Sequence, residues 1–237
     1  MGVNKVKIKV FADGADIGEM IKAYESGAVS GFTTNPTLMK KSGIKDYLQF
    51  AKDVLLEIKD LPISFEVFSD DIEDMRRQAE ILASLGENVY VKIPVTNTLG
   101  QSTSELVKKL SSSKIKTNIT AIFTKEQIKT VIDSVVDQTP AVISIFAGRI
   151  ANTGLDPIPF MKYAVDLSKD NPEKEILWAS PREALNIIQA EDCGCDIITV
   201  TPDILSAMKT FNKDLEEFSL ETVKMFYDDA VSAGFDI

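Results

Sequence analysis

Short apolar, β-branched runs alternate along this chain with longer segments in which apolar residues return every three to four positions. The strand-like runs cover residues 6–12, 31–34, 62–67, 88–93, 115–120, 141–146, 176–179 and 196–200. Between them lie helical patterns. Ile17, Met20, Ile21 and Tyr24 share one face, with Asp16 as N-cap and Gly27 as stop. Tyr47, Leu48, Ala51, Val54, Leu55 and Ile58 repeat the pattern, as do Met75, Ala79, Leu82 and Leu85 ahead of Gly86. Ile128, Val131, Ile132 and Val135 form another, and Leu185 and Ile188 belong to a shorter one.

Strands alternating with helices predict a parallel sheet. Eight strand–helix units in 237 residues average about 30 residues each, the size of a βα unit. Eight in a row favour closure into a (β/α)8 TIM barrel. The competing architecture is an open doubly wound sheet, but the turn after the first run reads Ala12-Asp13-Gly14-Ala15-Asp16 and lacks the Gly-rich phosphate fingerprint of that fold. No linker or charge block divides the chain, so residues 1–237 are expected to form one barrel domain. Residues 211–237 continue past the eighth unit as an extra helical extension. Leu215, Phe218, Val223, Phe226 and Val231 give that extension an apolar side that either caps the barrel or reaches a neighbouring subunit.

Side-chain alternation locates a site. Successive side chains of a strand face opposite ways. Val89, Val91 and Ile93 suit the helix layer, which turns Tyr90 and Lys92 into the barrel. Ser64 and Glu66 turn inward by the same rule. Val6, Ile8, Val10 and Ala12 share one side, which leaves Asp13 on the other. Thr33 agrees with Asn35, Asn118 with Thr120, Ser144 with Phe146, and Ser180 with Trp178. Polar side chains thus converge on the C-terminal mouth, where barrel enzymes carry their chemistry.

Composition narrows that chemistry. Histidine is absent, which removes Ser-His-Asp and Cys-His catalysis and His-liganded zinc. Cys193 and Cys195 are two thiols separated by Gly194; they cannot complete a four-ligand metal site and read as reduced thiols of a cytoplasmic protein. The net charge of −10 argues against nucleic acid or an anionic membrane as partner. Residues 1–10 carry three lysines and no long apolar run, unlike a signal peptide, and no later stretch reaches the ~20 apolar residues that span a bilayer.

A lone strand-end lysine is ordinarily a snorkelling surface residue, and a lone aspartate after a strand is ordinarily a turn residue or cap. Convergence of Lys92 with Asp13, Glu66, Asn35 and Asn118 changes that reading. Lys92 stands in an apolar run, and desolvation favours the neutral form of an amine. A neutral amine attacks carbonyls to form a Schiff base, the chemistry of class I aldolases.

Six segments then resemble the transaldolase family in order and spacing. They are Phe11-Ala12-Asp13, Gly31-Phe32-Thr33-Thr34-Asn35-Pro36-Thr37, Val91-Lys92-Ile93-Pro94-Val95-Thr96, Thr117-Asn118-Ile119-Thr120, Ser144-Ile145-Phe146-Ala147-Gly148-Arg149-Ile150 and Ala179-Ser180-Pro181-Arg182. The length resembles the short subfamily that also contains fructose-6-phosphate aldolases. The resemblance implies a (β/α)8 barrel, no cofactor and no metal. It implies Lys92 as the Schiff-base lysine attacking C2 of a ketose phosphate, and Asp13 as the group taking the C4 hydroxyl proton. It implies that Glu66 and Thr120 hold a proton-shuttling water. Asn35 and Asn118 would bind the hydroxyls of the dihydroxyacetone unit, and Arg149, Ser180 and Arg182 the distal phosphate. Ser144 and Phe146 line the same pocket.

Some positions depart from the family pattern. Gly14 follows Asp13 where Thr or Ser is usual, Asp16 is a second nearby carboxylate read as a cap, Trp178 is bulky at the mouth, and Pro181 replaces an aromatic residue. Arg182 also has a plainer reading as a helix-start surface residue behind Pro181. Aldolase-type relatives carry Tyr and Gln where this chain has Phe146 and Glu66, so the resemblance favours transaldolase. The expected reaction transfers a dihydroxyacetone unit from fructose 6-phosphate or sedoheptulose 7-phosphate to an aldose phosphate. A simple aldolase is the alternative, and a non-catalytic sugar-phosphate-binding barrel is the alternative from another class. Short members of the family form rings, so the resemblance also implies a homo-oligomer.

Overall fold

The computed structural model describes residues 6–236. Among them eight parallel strands close into a barrel in sequence order. The strands are β1 (Lys9–Asp13), β2 (Gly31–Thr33), β3 (Ile63–Glu66), β4 (Val89–Pro94), β5 (Thr117–Ile122), β6 (Ala141–Ile145), β7 (Lys174–Trp178) and β8 (Ile197–Val200). The helices are α1 (Ile17–Glu25), α2 (Pro36–Lys41), α3 (Tyr47–Glu57), α4 (Ile72–Ala83), α5 (Ser104–Ser112), α6 (Lys125–Ser134), α7 (Ala147–Ala151), α8 (Ile158–Ser168), α9 (Leu185–Asp192), α10 (Pro202–Ala207) and α11 (Leu215–Ser232). Closure is made by β1 and β8, where Lys9 pairs with Ile197 and Ala12 with Val200. An open doubly wound sheet has no such pairing, so that alternative is excluded. The N-terminal reading of residues 1–10 falls partly on residues 1–5, outside the described residues.

Alternation sorts the apolar side chains into two sets. Val10, Phe32, Phe65, Val91, Ile143, Trp178 and Ile198 face outward and are buried under Met20, Phe50, Met75, Ile128 and Ile187 of the helices. Phe11, Val142, Leu177, Ala179 and Ile197 face inward and, with Tyr90 and Phe146, fill the barrel interior. Burying a large apolar side chain stabilises by roughly 1.5–3 kcal/mol, so both layers hold the strand ends in place. Helix starts are set locally. Asp16, Asp46 and Asp71 cap α1, α3 and α4 by accepting from backbone N–H groups three residues on, and Thr124 with Gln127 forms a capping box at α6.

The structure corrects one expectation and sharpens two others. Trp178 lies in the outward layer beneath the helices and not at the mouth, because β7 begins at Lys174 and its inward residues are Leu177 and Ala179. β7 also begins two residues before the run 176–179: Lys174 and Glu175 pair with Ala141 and Val142, and Glu175 meets Lys9 in an ion pair at 2.5 Å. Of the two roles open to the extension, its long helix does not take the capping one: α11 buries no residue, and Leu215, Phe218, Val223, Phe226 and Val231 are exposed, while Phe211 ahead of it packs against the core. Between α1, β1 and α10 an apolar groove of about 840 Å³ is lined by Val6, Ile8, Val10, Met20, Leu205 and Met208. No helix among the described residues is long and apolar enough to cross a membrane.

Candidate active site

Lys92 and Glu66 are register partners on the neighbouring strands β4 and β3. Both face inward near the strand ends, so their side chains meet: Lys92 Nζ lies 3.3 Å from Glu66 Oε2 and donates to the Thr34 carbonyl at 2.9 Å. Lys92 is only 7% exposed. An amine buried to this degree needs polar partners, and here it has one carboxylate and one carbonyl. Burial pushes the Glu66 carboxyl above the usual carboxylate range, although Lys92 draws it back down.

Asp13 ends β1 beside Thr33 of β2, its register partner. The Thr33 hydroxyl donates to Asp13 Oδ1 at 2.9 Å, and Asn35 Nδ2 makes a longer contact of 3.4 Å to Oδ2. Asn35 is held by its own helix: its Oδ1 caps α2 by accepting from Leu38 N–H at 3.0 Å, with Pro36 in the first turn. That cap turns the amide nitrogen toward Asp13. Burial pushes the Asp13 carboxyl up, against the opposing pull of Lys92, Thr33 and Asn35. The site therefore sets one lysine between two carboxyl groups whose protonated forms are favoured by desolvation.

On the other side of Lys92 a buried polar row crosses the barrel. Asn118, the register partner of Lys92 on β5, donates to Ser64 Oγ at 2.9 Å and accepts from Ser144 Oγ at 2.6 Å. One of the two N–H groups of its amide is used in this row. Two residues on, the Thr120 hydroxyl is buried with no hydrogen-bond partner. Register shifts just after it, and Ala121 adopts φ 59°. The Thr120 hydroxyl is thus one of three buried side-chain polar atoms without a protein partner among the described residues, with Thr117 Oγ1 and Trp178 Nε1.

The anion-binding candidates gather beyond β6 and β7. Phe146 precedes α7; its ring fills the top of the interior, 5.7 Å from that of Phe123. The Arg149 guanidinium lies 5.2 Å from the Phe146 ring centroid. Ser180 follows β7 with φ 58°, which breaks the alternation that paired it with Trp178. Its carbonyl comes so near Gly148 that a Cβ there would stand 1.6 Å from the oxygen. Only glycine allows this approach. Arg182 Nε is 3.4 Å from the Gly148 carbonyl and 3.2 Å from Asn152 Oδ1, and the Arg182 N–H donates to Asn186 Oδ1 at 2.7 Å. Since α9 starts at Leu185, Pro181 does not open a helix, but Arg182 is exposed, so of its plainer reading the helix start fails and the surface position stands. Among the described residues neither arginine is paired with a carboxylate.

The structure thus groups Lys92, Glu66 and Asp13, then Asn118 with Ser144, and separately Arg149, Ser180 and Arg182 with Phe146. Sequence reasoning did not single out Tyr47 or Thr199. The Tyr47 hydroxyl donates to the Glu66 carbonyl at 2.8 Å and pins the end of β3. Thr199 Oγ1 lies 2.5 Å from Thr33 Oγ1. Its signal was a single hydroxyl at an inward position of the apolar strand Ile197-Ile198-Thr199-Val200. Both cysteines are free and buried, and burial pushes both thiols up, which disfavours the reactive thiolate.

The chain matches the family described as Transaldolase/Fructose-6-phosphate aldolase over residues 10–237. A probable transaldolase of Caldicellulosiruptor saccharolyticus is 36% identical over 203 residues, 85% of this chain and 89% of the relative. One from Methanococcus maripaludis is 35% identical, over 90% of this chain and 94% of its own length. One from Bdellovibrio bacteriovorus is 34% identical, over 94% and 97%. Among solved structures, a putative phosphonomutase from Burkholderia cenocepacia superimposes with a TM-score of 0.56 at 13% identity, covering 86% of this chain and 91% of that one, which shows the fold alone.

Proposed function

We propose that this chain, which belongs to the transaldolase/fructose-6-phosphate aldolase family, transfers a dihydroxyacetone unit between sugar phosphates through a Schiff base on Lys92. The observation that carries the reading is the buried Lys92 amine, set 3.3 Å from Glu66 and in the electrostatic reach of Asp13. The neutral amine attacks C2 of fructose 6-phosphate or sedoheptulose 7-phosphate, and loss of water gives a protonated imine. Glu66 moves protons in that dehydration, with the unpaired Thr120 hydroxyl holding the water. Asp13 then takes the proton from the C4 hydroxyl. The C3–C4 bond breaks, its electron pair enters the iminium, and the aldose phosphate leaves. The enamine left on Lys92 attacks an acceptor aldehyde through C3, and Asp13 returns the proton to the new C4 oxygen. Hydrolysis of the imine frees the product.

Asn35 and Asn118 hold the hydroxyls of the three-carbon unit. Arg149 and Arg182, with Ser180, hold the distal phosphate; Arg presents a planar fork suited to its oxygens. Phe146 favours transfer over simple cleavage, because its ring offers no group to orient water or protonate the enamine. Product analysis with fructose 6-phosphate, with and without erythrose 4-phosphate, tests this choice. A non-catalytic barrel is disfavoured physically: burying one lysine and two carboxyl groups inside the barrel weakens the fold and gives it nothing in return.

The working form is a homo-oligomer. An 18-residue helix that buries nothing on its own barrel, and a groove of about 840 Å³ left between α1 and α10, support a contact in which α11 of one copy packs on another.

A further inference from the structure

Thr199 is the polar member of β8, flanked by Ile198 and Val200, and is itself 6% exposed. It pairs in register with Phe11, two residues before Asp13 on β1. Its hydroxyl oxygen lies 2.5 Å from that of Thr33, itself 2.9 Å from Asp13 Oδ1. A threonine hydroxyl has one proton to donate. When Asp13 is a carboxylate, Thr33 must give its proton to Oδ1. Thr33 can then only accept from Thr199, so the direction of the chain is settled as Thr199 to Thr33 to Asp13.

We propose that Thr199 is a positioning residue for Asp13: by donating to Thr33 it locks the Thr33 hydroxyl onto Oδ1 and leaves Oδ2 as the oxygen that takes the substrate proton. The inference rests on the reading of Asp13 as the base. Two features support it. The first is geometric: Oδ2 has only the 3.4 Å contact from Asn35, while Oδ1 has the short bond. The second is cooperative: a hydroxyl that accepts one hydrogen bond donates the next more strongly, most of all where water is excluded. Without Thr199, Thr33 is free to rotate, and the carboxylate loses both its orientation and part of its stabilisation. The charged groups facing Asp13 are Lys92 of β4, which favours the carboxylate, and Glu66 of β3, which opposes it. β2 and β8 contribute uncharged partners, and Asp16 is turned to the cap of α1 by accepting from Glu19 N–H. The chain through Thr199 is thus a source of carboxylate stabilisation independent of Lys92.

The test compares Thr199→Ala, Thr199→Val and Thr199→Ser in the full-length protein. Two quantities are read: the titration of the Asp13 carboxyl by carbon-13 NMR, and the pH dependence of kcat/KM with fructose 6-phosphate and erythrose 4-phosphate. Removal of the hydroxyl is expected to raise the Asp13 apparent pKa by about half a unit or more. It should move the acid limb of kcat/KM by the same amount and lower kcat roughly 3- to 10-fold with little change in KM. Thr199→Ser should restore all three. Alanine and valine fail differently, one by leaving a small void and one by crowding Thr33, so a shift common to both is due to the lost hydroxyl. An unmoved Asp13 titration in folded variants, whatever their melting temperature, overturns the proposal. A shifted titration with an unmoved acid limb upholds the Thr199 chain and refutes Asp13 as the base.

Discussion

Lys92 Nζ stands 3.3 Å from Glu66 Oε2 because the two residues are register partners on adjacent parallel strands. Each is the second inward residue of its strand, after Tyr90 and Ser64, which are partners in turn. The ion pair is therefore built by the sheet itself. It does not depend on loops, and closure of the barrel fixes it. An amine placed this way is held against rigid backbone, the placement that the proposed covalent intermediate requires.

Truncation of Arg182 or Arg149 to alanine should weaken binding of phosphorylated sugars and spare the bond-breaking step. Losing a charge-assisted contact to an anion costs about 1.5–3 kcal/mol, or roughly 10- to 100-fold in KM. Unphosphorylated fructose or dihydroxyacetone should be processed about equally by variant and wild type. Steady-state kinetics on both substrate classes checks the assignment, and equal impairment on both would refute it.

Substitution of Phe146 tests the proposed preference for transfer over simple cleavage. Phe146→Tyr keeps the ring volume and adds one hydroxyl that can orient water. It should raise acceptor-independent cleavage of fructose 6-phosphate and lower transfer to erythrose 4-phosphate. If Phe146 only fills the interior, the buried hydroxyl costs about 1–3 kcal/mol of stability and leaves the product ratio unchanged. Measuring that ratio alongside the melting temperature distinguishes the outcomes.

Asp13 should weaken the fold in the form that works. Burial raises its folded pKa above the ordinary 3.8, so the folded protein holds the proton more tightly than the unfolded chain does. Its ionisation then destabilises as pH rises from that ordinary value through the folded one, and the full penalty remains above. Asp13→Asn removes the charge, so its melting temperature should exceed that of wild type at neutral pH, with the gap closing as pH falls toward 3.8. Activity should fall roughly 10²- to 10⁴-fold with loss of the base. A lower melting temperature at neutral pH would mean that attraction to Lys92 outweighs burial.

The α11 contact is open to a test on the full-length chain. Phe218→Asp and Phe226→Asp place charges on the exposed apolar side of α11, on a helix that buries no residue. Light scattering should show wild type as an oligomer and the double variant as a smaller species with an unchanged far-ultraviolet spectrum. A monomeric wild type, or an unaltered oligomer in the variant, would refute the role given to this helix.

Much of this is legible in the sequence because strand alternation is strict where both faces are buried. Lys92 and Glu66 stand at inward positions between apolar outward neighbours, Val91 and Ile93 for the one and Phe65 and Val67 for the other. The rule stopped where the backbone leaves the strand. Ser180 adopts φ 58°, which no pattern of side chains announces, and Trp178 was placed on the wrong face by counting back from it. Thr199 was hidden for the opposite reason: a threonine in an apolar strand has high β-propensity, so nothing in the sequence marks its hydroxyl as partnered. The exposure of α11 was also beyond reach, since an amphipathic pattern states that a face will be covered and not by what.

The central claim is the covalent bond to Lys92, and mass spectrometry after borohydride reduction tests it most directly. Wild-type protein is incubated with fructose 6-phosphate, reduced and digested, with Lys92→Ala in parallel. The expected result is a reduced three-carbon dihydroxyacetone adduct on the peptide containing Lys92, absent from the variant, whose kcat falls by several orders of magnitude. An adduct on a different lysine, or an active enzyme that traps none, would contradict it.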